Sequence, residues 1–149
     1  MKGYYISADK KKLDFDVIYS YLSTSYWAEN IPESVLHKAI ENAFCFGVYL
    51  DSGEQVGFAR VITDQATFAY LADVFILEAH RGKGLSKWLV ATILEAPDLQ
   101  GLRRILLTTK DAHGLYAQYG FVQVEHPERL MHIWHPDIYF TESDSATGH

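Results

Sequence analysis

The chain has 149 residues and a mass of 17.0 kDa, enough for one substantial core and too little for two. Hydrophobic residues make up 48% and aromatic residues 14%, which excludes an intrinsically disordered chain. A formal net charge of −6 argues against a nucleic-acid surface, which needs a positive patch to displace counterions from phosphates.

The start of the chain, Met1 to Tyr5 followed by Lys10-Lys11-Lys12, lacks the apolar stretch of a signal peptide, and no run reaches membrane-spanning length. A soluble cytoplasmic protein without nucleic-acid or membrane partners is expected. Gly3 to Ser7 reads as a short first strand and Lys10 to Lys12 as a solvated turn. Phe15, Ile18, Tyr21 and Leu22 keep helical spacing, with Asp14 placed to cap the start. After an aromatic-polar connector, Tyr26 to Asn30, Pro32 sets the first turn of a second helix carrying Val35, Leu36, Ala39, Ile40 and Ala43. Phe44 to Leu50 is a second strand, and its single cysteine, Cys45, reads as a buried structural thiol rather than a nucleophile. Asp51-Ser52-Gly53 turns it into a third strand, Gln55 to Thr63, on which Val56, Phe58, Arg60 and Ile62 share a face. Asp64-Gln65-Ala66 returns the chain as a fourth strand, so that strands two to four form an antiparallel meander.

The fourth strand, Phe68 to Leu77, is almost unbroken apolar, as a strand covered on both faces should be. It passes through a glycine-rich loop, His80 to Ser86, directly into a helix on which Leu85, Trp88, Leu89 and Thr92 recur at spacings of three and four. The first amides of that helix have no partners within it, and with the helix dipole they suit a phosphate. Gly82 and Gly84 allow close approach, while Arg81, Lys83 and Lys87 add positive charge. The letters do not make a P-loop, which needs Gly-x-x-x-x-Gly-Lys-Ser/Thr, nor the dinucleotide fingerprint, which needs a third glycine where Lys87 stands. Beyond the helix, Ala96-Pro97-Asp98 ends the helical period, and a fifth strand, Arg104 to Thr109, should lie parallel to the fourth. Asp111 reads as the N-cap of a short helix ended by Gly120. Phe121 to Glu125 and Leu130 to Trp134 read as a sixth and a seventh strand, and residues 141–149 as a disordered tail after a domain of residues 1–140.

Two of these stretches resemble motifs of one family. Arg81-x-x-Gly84-x-Ser86 is similar to the Arg/Gln-x-x-Gly-x-Gly/Ala acyl-CoA loop of the GNAT superfamily of N-acetyltransferases, with a departure at the last position, where serine is still small. Ala112 to Phe121 looks like the family's Ala-x-x-Leu-Tyr-x-x-x-Gly-Phe segment, in the right order after a further strand. The resemblance covers roughly the whole chain. It implies an α/β fold with a mostly antiparallel mixed sheet of six to seven strands and about four helices, in which strands four and five splay apart to hold acetyl-CoA. It also implies a pyrophosphate site at Arg81, Gly82, Lys83, Gly84, Leu85 and Ser86, and an acetyl group oriented by the backbone of Val74, Phe75 and Ile76. Tyr116 matches the family tyrosine that protonates the CoA sulfur, a reasonable task for a phenol of pKa near ~10, with Tyr119 as the alternative donor.

Asp73, a carboxylate among Leu71, Ala72, Val74 and Phe75, must be paired, hydrogen-bonded or at the cleft. Two roles stand open for it: accepting the amine proton, directly or through water, or pairing with Arg60 across the sheet. Tyr26 and Trp27 either line the acceptor pocket or pack the two helices on the sheet. His113 reads as a solvated neighbour of the catalytic helix, and His126, His132 and His135 do not converge into a metal site. The expected activity is acetyl transfer from acetyl-CoA to a primary amine of a small molecule, without a metal and with a homodimer compatible. A GNAT-like acyl-CoA-binding regulatory module without turnover and a protein or peptide acetyltransferase are the alternatives.

Overall fold

A two-helix connection from the first strand to the second, two tight turns and one helical crossover generate the sheet. Strands β1 (Tyr4–Ser7), β2 (Phe44–Leu50), β3 (Gln55–Thr63), β4 (Phe68–Ile76) and β5 (Arg104–Leu107) lie side by side in chain order, antiparallel from β1 to β4 and parallel between β4 and β5. At the β3–β4 turn the Asp64 carboxylate accepts from the Ala66, Thr67 and Phe68 amides and from the Thr67 hydroxyl. These bonds, the Thr67 hydroxyl foremost, hold its carboxyl well below the usual carboxylate range. This computed structural model describes residues 1–140, and the tail expected at 141–149 lies outside the described residues.

Helices α1 (Phe15–Leu22) and α2 (Glu33–Glu41) cover one face, and α3 (Leu85–Glu95) and α4 (His113–Ala117) the other. Asp14 caps α1 as its position implies, accepting from the Val17 amide at 3.3 Å, and α2 follows Pro32. Each face has its own core. Ile18, Leu22, Leu36, Cys45, Phe58 and Phe75 make one, and Val48, Val61, Leu71, Leu85, Leu89, Val90 and Ile93 the other. Burial pushes the Cys45 thiol up to about 11, so it stays a neutral packing group at neutral pH.

Three expectations need correction. The sheet has five strands among the described residues: Phe121–Glu125 and Leu130–Trp134 join no ladder, because alternation of apolar residues prepares a strand but only a paired neighbour makes one. Strand β5 stops at Leu107 rather than Thr109, where its pairing with β4 ends. Helix α4 starts after Ala112 rather than Asp111, because the Thr109 hydroxyl accepts from the Ala112 amide at 3.0 Å and carries the chain one residue further.

Inside β2 the Tyr49 ring folds back over Gly47, where an added Cβ would meet ring carbons at 2.5 and 2.7 Å. Tyr49 is fully buried and its hydroxyl has no partner among the described residues, so the ring cannot swing away without exposing a cavity. Gly47→Ala is therefore expected to destabilise the protein by about 1–3 kcal/mol, the usual cost of overpacking, as read by calorimetric melting. An unchanged melting temperature would show that the ring relocates freely.

Candidate active site

The sheet opens at one place. Strands β4 and β5 pair from Phe68↔Arg104 to Leu71↔Leu107, and β4 then continues through Ala72 to Ile76 with no neighbour on that side. The Tyr70 hydroxyl donates to Thr108 Oγ1 at 3.0 Å where the strands part. The cause of the parting is a β-bulge. Opposite β3 the register passes from Ala72↔Arg60 to Phe75↔Phe58, so Asp73 and Val74 stand against Ala59 alone, and Asp73 adopts a left-handed φ of 55°. The extra residue bends β4 and reverses its alternation, so Leu71 packs in one core and Phe75 in the other.

At the far end of β4 the loop into α3 is shaped by Gly82 (φ 80°) and Gly84 (φ 83°), each with open space where a side chain would project. The first bond of the helix is Trp88 N–H to the Gly84 carbonyl. The amides from Gly82 to Lys87 donate to nothing among the described residues, and no side chain caps the helix. The loop's two foremost cations are engaged elsewhere. The Arg81 guanidinium donates to the Ile76 carbonyl and to the Tyr21 hydroxyl, each at 2.9 Å, and Lys83 Nζ reaches the Tyr4 hydroxyl at 3.2 Å. What the loop offers an anion is thus a row of amides at a helix N-terminus, while Leu85 turns its side chain into the core and Ser86 is half-buried.

Tyr116 is held by the end of its own short helix. The Phe121 amide donates to the Tyr116 carbonyl, the Gly120 amide to that of Ala117, and Gly120 is left-handed at φ 92°, which together make a Schellman turn. The accompanying apolar contact is Phe121 edge-on to the Tyr116 ring at 5.7 Å. Tyr116 is buried at 8% exposure, and its hydroxyl makes no hydrogen bond with the described residues. Burial, and secondarily the nearby Tyr26, push its phenol above the ordinary value, so the group stays protonated at neutral pH. Tyr119 is half-buried against the same core, and His113 is exposed.

The connector between α1 and α2 supplies the opposite wall. Trp27 Nε1 donates to Asp73 Oδ1 at 2.7 Å, and Arg60 Nε to Asp73 Oδ2 at 2.7 Å. Both oxygens are therefore engaged in a carboxylate whose side chain is only 8% exposed. Of the two roles open for Asp73, pairing with Arg60 is the one this geometry displays. Tyr26 and Trp27 are 54% and 44% exposed and lie edge to face at 5.0 Å, so they line a surface instead of packing helices. Two contributors were not singled out from the sequence: Lys110, whose Nζ sits 5.2 Å above the Tyr26 ring, and Tyr21, stacked on Phe75 at 4.1 Å. Tyr21 was legible only as a helix-face residue, and nothing local marks Lys110. Among the described residues no three His, Cys, Asp or Glu side chains group as metal ligands would.

Comparison with known proteins agrees with this geometry. The profile of the acetyltransferase (GNAT) family matches residues 15–121. A candidate acetyltransferase from Gibberella zeae is 36% identical, over 77% of this chain and 76% of its own. The crystal structure of a candidate acetyltransferase of the GNAT family from Xanthomonas campestris pv. campestris is 49% identical and superposes with a TM-score of 0.91, covering 95% of this chain and 99% of that one. A Mycobacterium tuberculosis protein crystallised in complex with CoA shares the fold at a TM-score of 0.65 and 21% identity, over 81% of this chain and 73% of that one.

The buried pair at the wall carries a stability consequence. In Asp73→Asn the backbone conformation is retained, since asparagine tolerates a left-handed φ, but Arg60 loses its counter-charge while 18% exposed. Removal of one partner of such a pair is expected to cost on the order of 3 kcal/mol, with part of the loss recovered in Arg60→Met/Asp73→Asn. A melting temperature equal to that of the unaltered protein would show the pair to be without structural weight.

Proposed function

Since the chain belongs to the acetyltransferase (GNAT) family, we propose that it moves an acetyl group from acetyl-CoA to the primary amine of a small molecule. The observation that carries this reading is the unbonded hydroxyl of the buried Tyr116 side chain, kept protonated and near Tyr26 of the opposite wall. Acetyl-CoA supplies the activated acetyl group as a thioester, and the chain supplies positioning and a proton. The free amides from Gly82 to Lys87 suit its pyrophosphate, in a loop where neither glycine brings a Cβ into the way. The β4 backbone from Val74 to Ile76, unpaired on the β5 side, is the edge along which the acetyl arm would be oriented.

The reaction needs three things at that gap: a held carbonyl, a neutral amine and a proton for the departing sulfur. The amine nitrogen forms its bond to the carbonyl carbon, the carbon–sulfur bond breaks, and the sulfur takes the Tyr116 proton. The amine gives up its surplus proton to water, and Tyr116 is reprotonated from solvent. Asp73 serves as a positioning residue, holding Trp27 on the acceptor wall while Arg60 holds Asp73. The overall charge of −6 favours approach of a cation, as an amine substrate is before it reacts.

Two substitutions test this reading. Tyr116→Phe keeps the ring and its contact with Phe121 and is expected to lower turnover by ~10²-fold while CoA affinity changes little. Retained turnover there, with loss in Tyr119→Phe, would transfer the acid role. Gly84→Asp places a Cβ and a negative charge at a left-handed position in the row of free amides, and is expected to weaken CoA binding at least tenfold in calorimetry. Unchanged affinity in a folded Gly84→Asp protein would remove the loop from the site.

A further inference from the structure

Strand β5 is the last of the sheet, so one full side of its backbone has no ladder among the described residues. Its Ile105, Leu106 and Leu107 side chains are only half-buried, which leaves an edge both apolar and hydrogen-bond competent. The same chain carries a segment with the complementary deficit. Between Val122 and Asp137 only the Arg129 and Leu130 amides donate to a backbone carbonyl of the described residues, both within one turn. Several of its apolar side chains are bare: Val122 is 86% exposed, Met131 96%, Ile133 91% and Trp134 68%. Of the thirteen exposed large hydrophobic residues among the described residues, seven lie between Val122 and Phe140. Such concentration marks a buried interface rather than scattered surface residues.

The segment is not a loose end. Phe121 is locked against Tyr116 at one side, and Tyr139 packs against the α1–α2 core at the other. What projects between these anchors has the alternating apolar pattern of two strands around the His126 to Arg129 turn. Charge fits the same pairing. Residues 122–134 carry Glu125 and Glu128 against Arg129 alone, and β5 is entered through exposed Arg103 and Arg104.

We propose that residues 122–134 are an exchanged arm that extends the sheet at the β5 edge of a second copy of this chain. Donor arm and receiving edge occur on every copy, so a two-fold pair satisfies both at once and closes. A different protein would cover one and leave the other bare. In the pair each sheet gains strands beyond β5, which is where the sequence pattern calls for a sixth and a seventh.

The experiment is light scattering after size exclusion on the full chain, with hydrogen exchange read at Arg104–Leu107 and at 130–134. The expected mass is twice the 17.0 kDa of one chain, with slow exchange at both places. Met131→Asp/Ile133→Asp alters two residues that the single chain leaves bare, so a folded monomer with an unchanged circular dichroism spectrum and fast exchange at both places is expected. A monomeric unaltered protein would overturn the proposal. So would a dimer that survives the double substitution, or one whose loss leaves β5 exchange unchanged. Slow exchange at both places in a monomer would show that the arm folds back onto its own β5, and equally overturns it.

Discussion

The bulge at Asp73 is the constraint on which the site depends. A left-handed φ at a non-glycine residue costs on the order of 1–3 kcal/mol and persists only where the surroundings enforce it. Here the enforcement is two hydrogen bonds to a carboxylate, from Trp27 and Arg60, a kind of bond that contributes about 1.5–3 kcal/mol each. Together the two bonds outweigh the strain, so the pair of donors is enough to hold the bulge. The bulge has three effects: it bends β4 away from β5 after Leu71, it sends Phe75 to the opposite core, and it turns a carboxylate toward the connector.

From that point the contacts run without a break to the anion loop. Trp27 lies 6.3 Å from Tyr21, Tyr21 stacks on Phe75, and the Tyr21 hydroxyl accepts from Arg81 at the foot of the loop. Arg81 also closes onto the Ile76 carbonyl at the end of β4. The Tyr26–Trp27 wall, the free edge of β4 and the row of amides are therefore one connected unit. This assigns the loop's arginine a structural task. Fixed amides need no reorganisation to meet an anion, whereas a guanidinium already bonded at both ends would have to give up those bonds.

Much of this was legible in the letters because it is local. The Asp14 cap, the glycines before α3 and the Tyr116-to-Phe121 segment are each written within a few residues, and the structure shows the cap, the positive φ angles and the Schellman turn they imply. The Arg60–Asp73 pair was legible as a buried carboxylate in need of a partner. The bulge itself was not, since nothing in Leu71-Ala72-Asp73-Val74 distinguishes a regular strand from one with an extra residue. Nor were the partners of Arg81 and Lys83, which lie 60 and 79 residues away in sequence. The two C-terminal strands failed for a related reason. Their residue pattern is correct for strands, but a ladder is a property of two segments, and the second was not within reach of these residues.

The open side of β5 bears on the chemistry as well as on assembly. This strand has four residues, is paired on one side only, and is followed by the loop into α4, which holds Tyr116. A strand with so few ladder bonds is among the least fixed parts of a sheet. Tyr116 is fastened locally by its Schellman turn, but the helix as a whole is placed by β5 and by the packing of Leu115 and Phe121 on the α3 side. An arm bonded along β5 would add a second ladder to the strand that positions Tyr116, the proposed proton donor, and the same arm begins one residue after Phe121, which holds the Tyr116 ring. The proposed exchange of the arm and the placement of Tyr116 would thus act on the same few residues. A partner copy would then tighten the tyrosine's position from both ends of its helix, from β5 before it and from the arm after it.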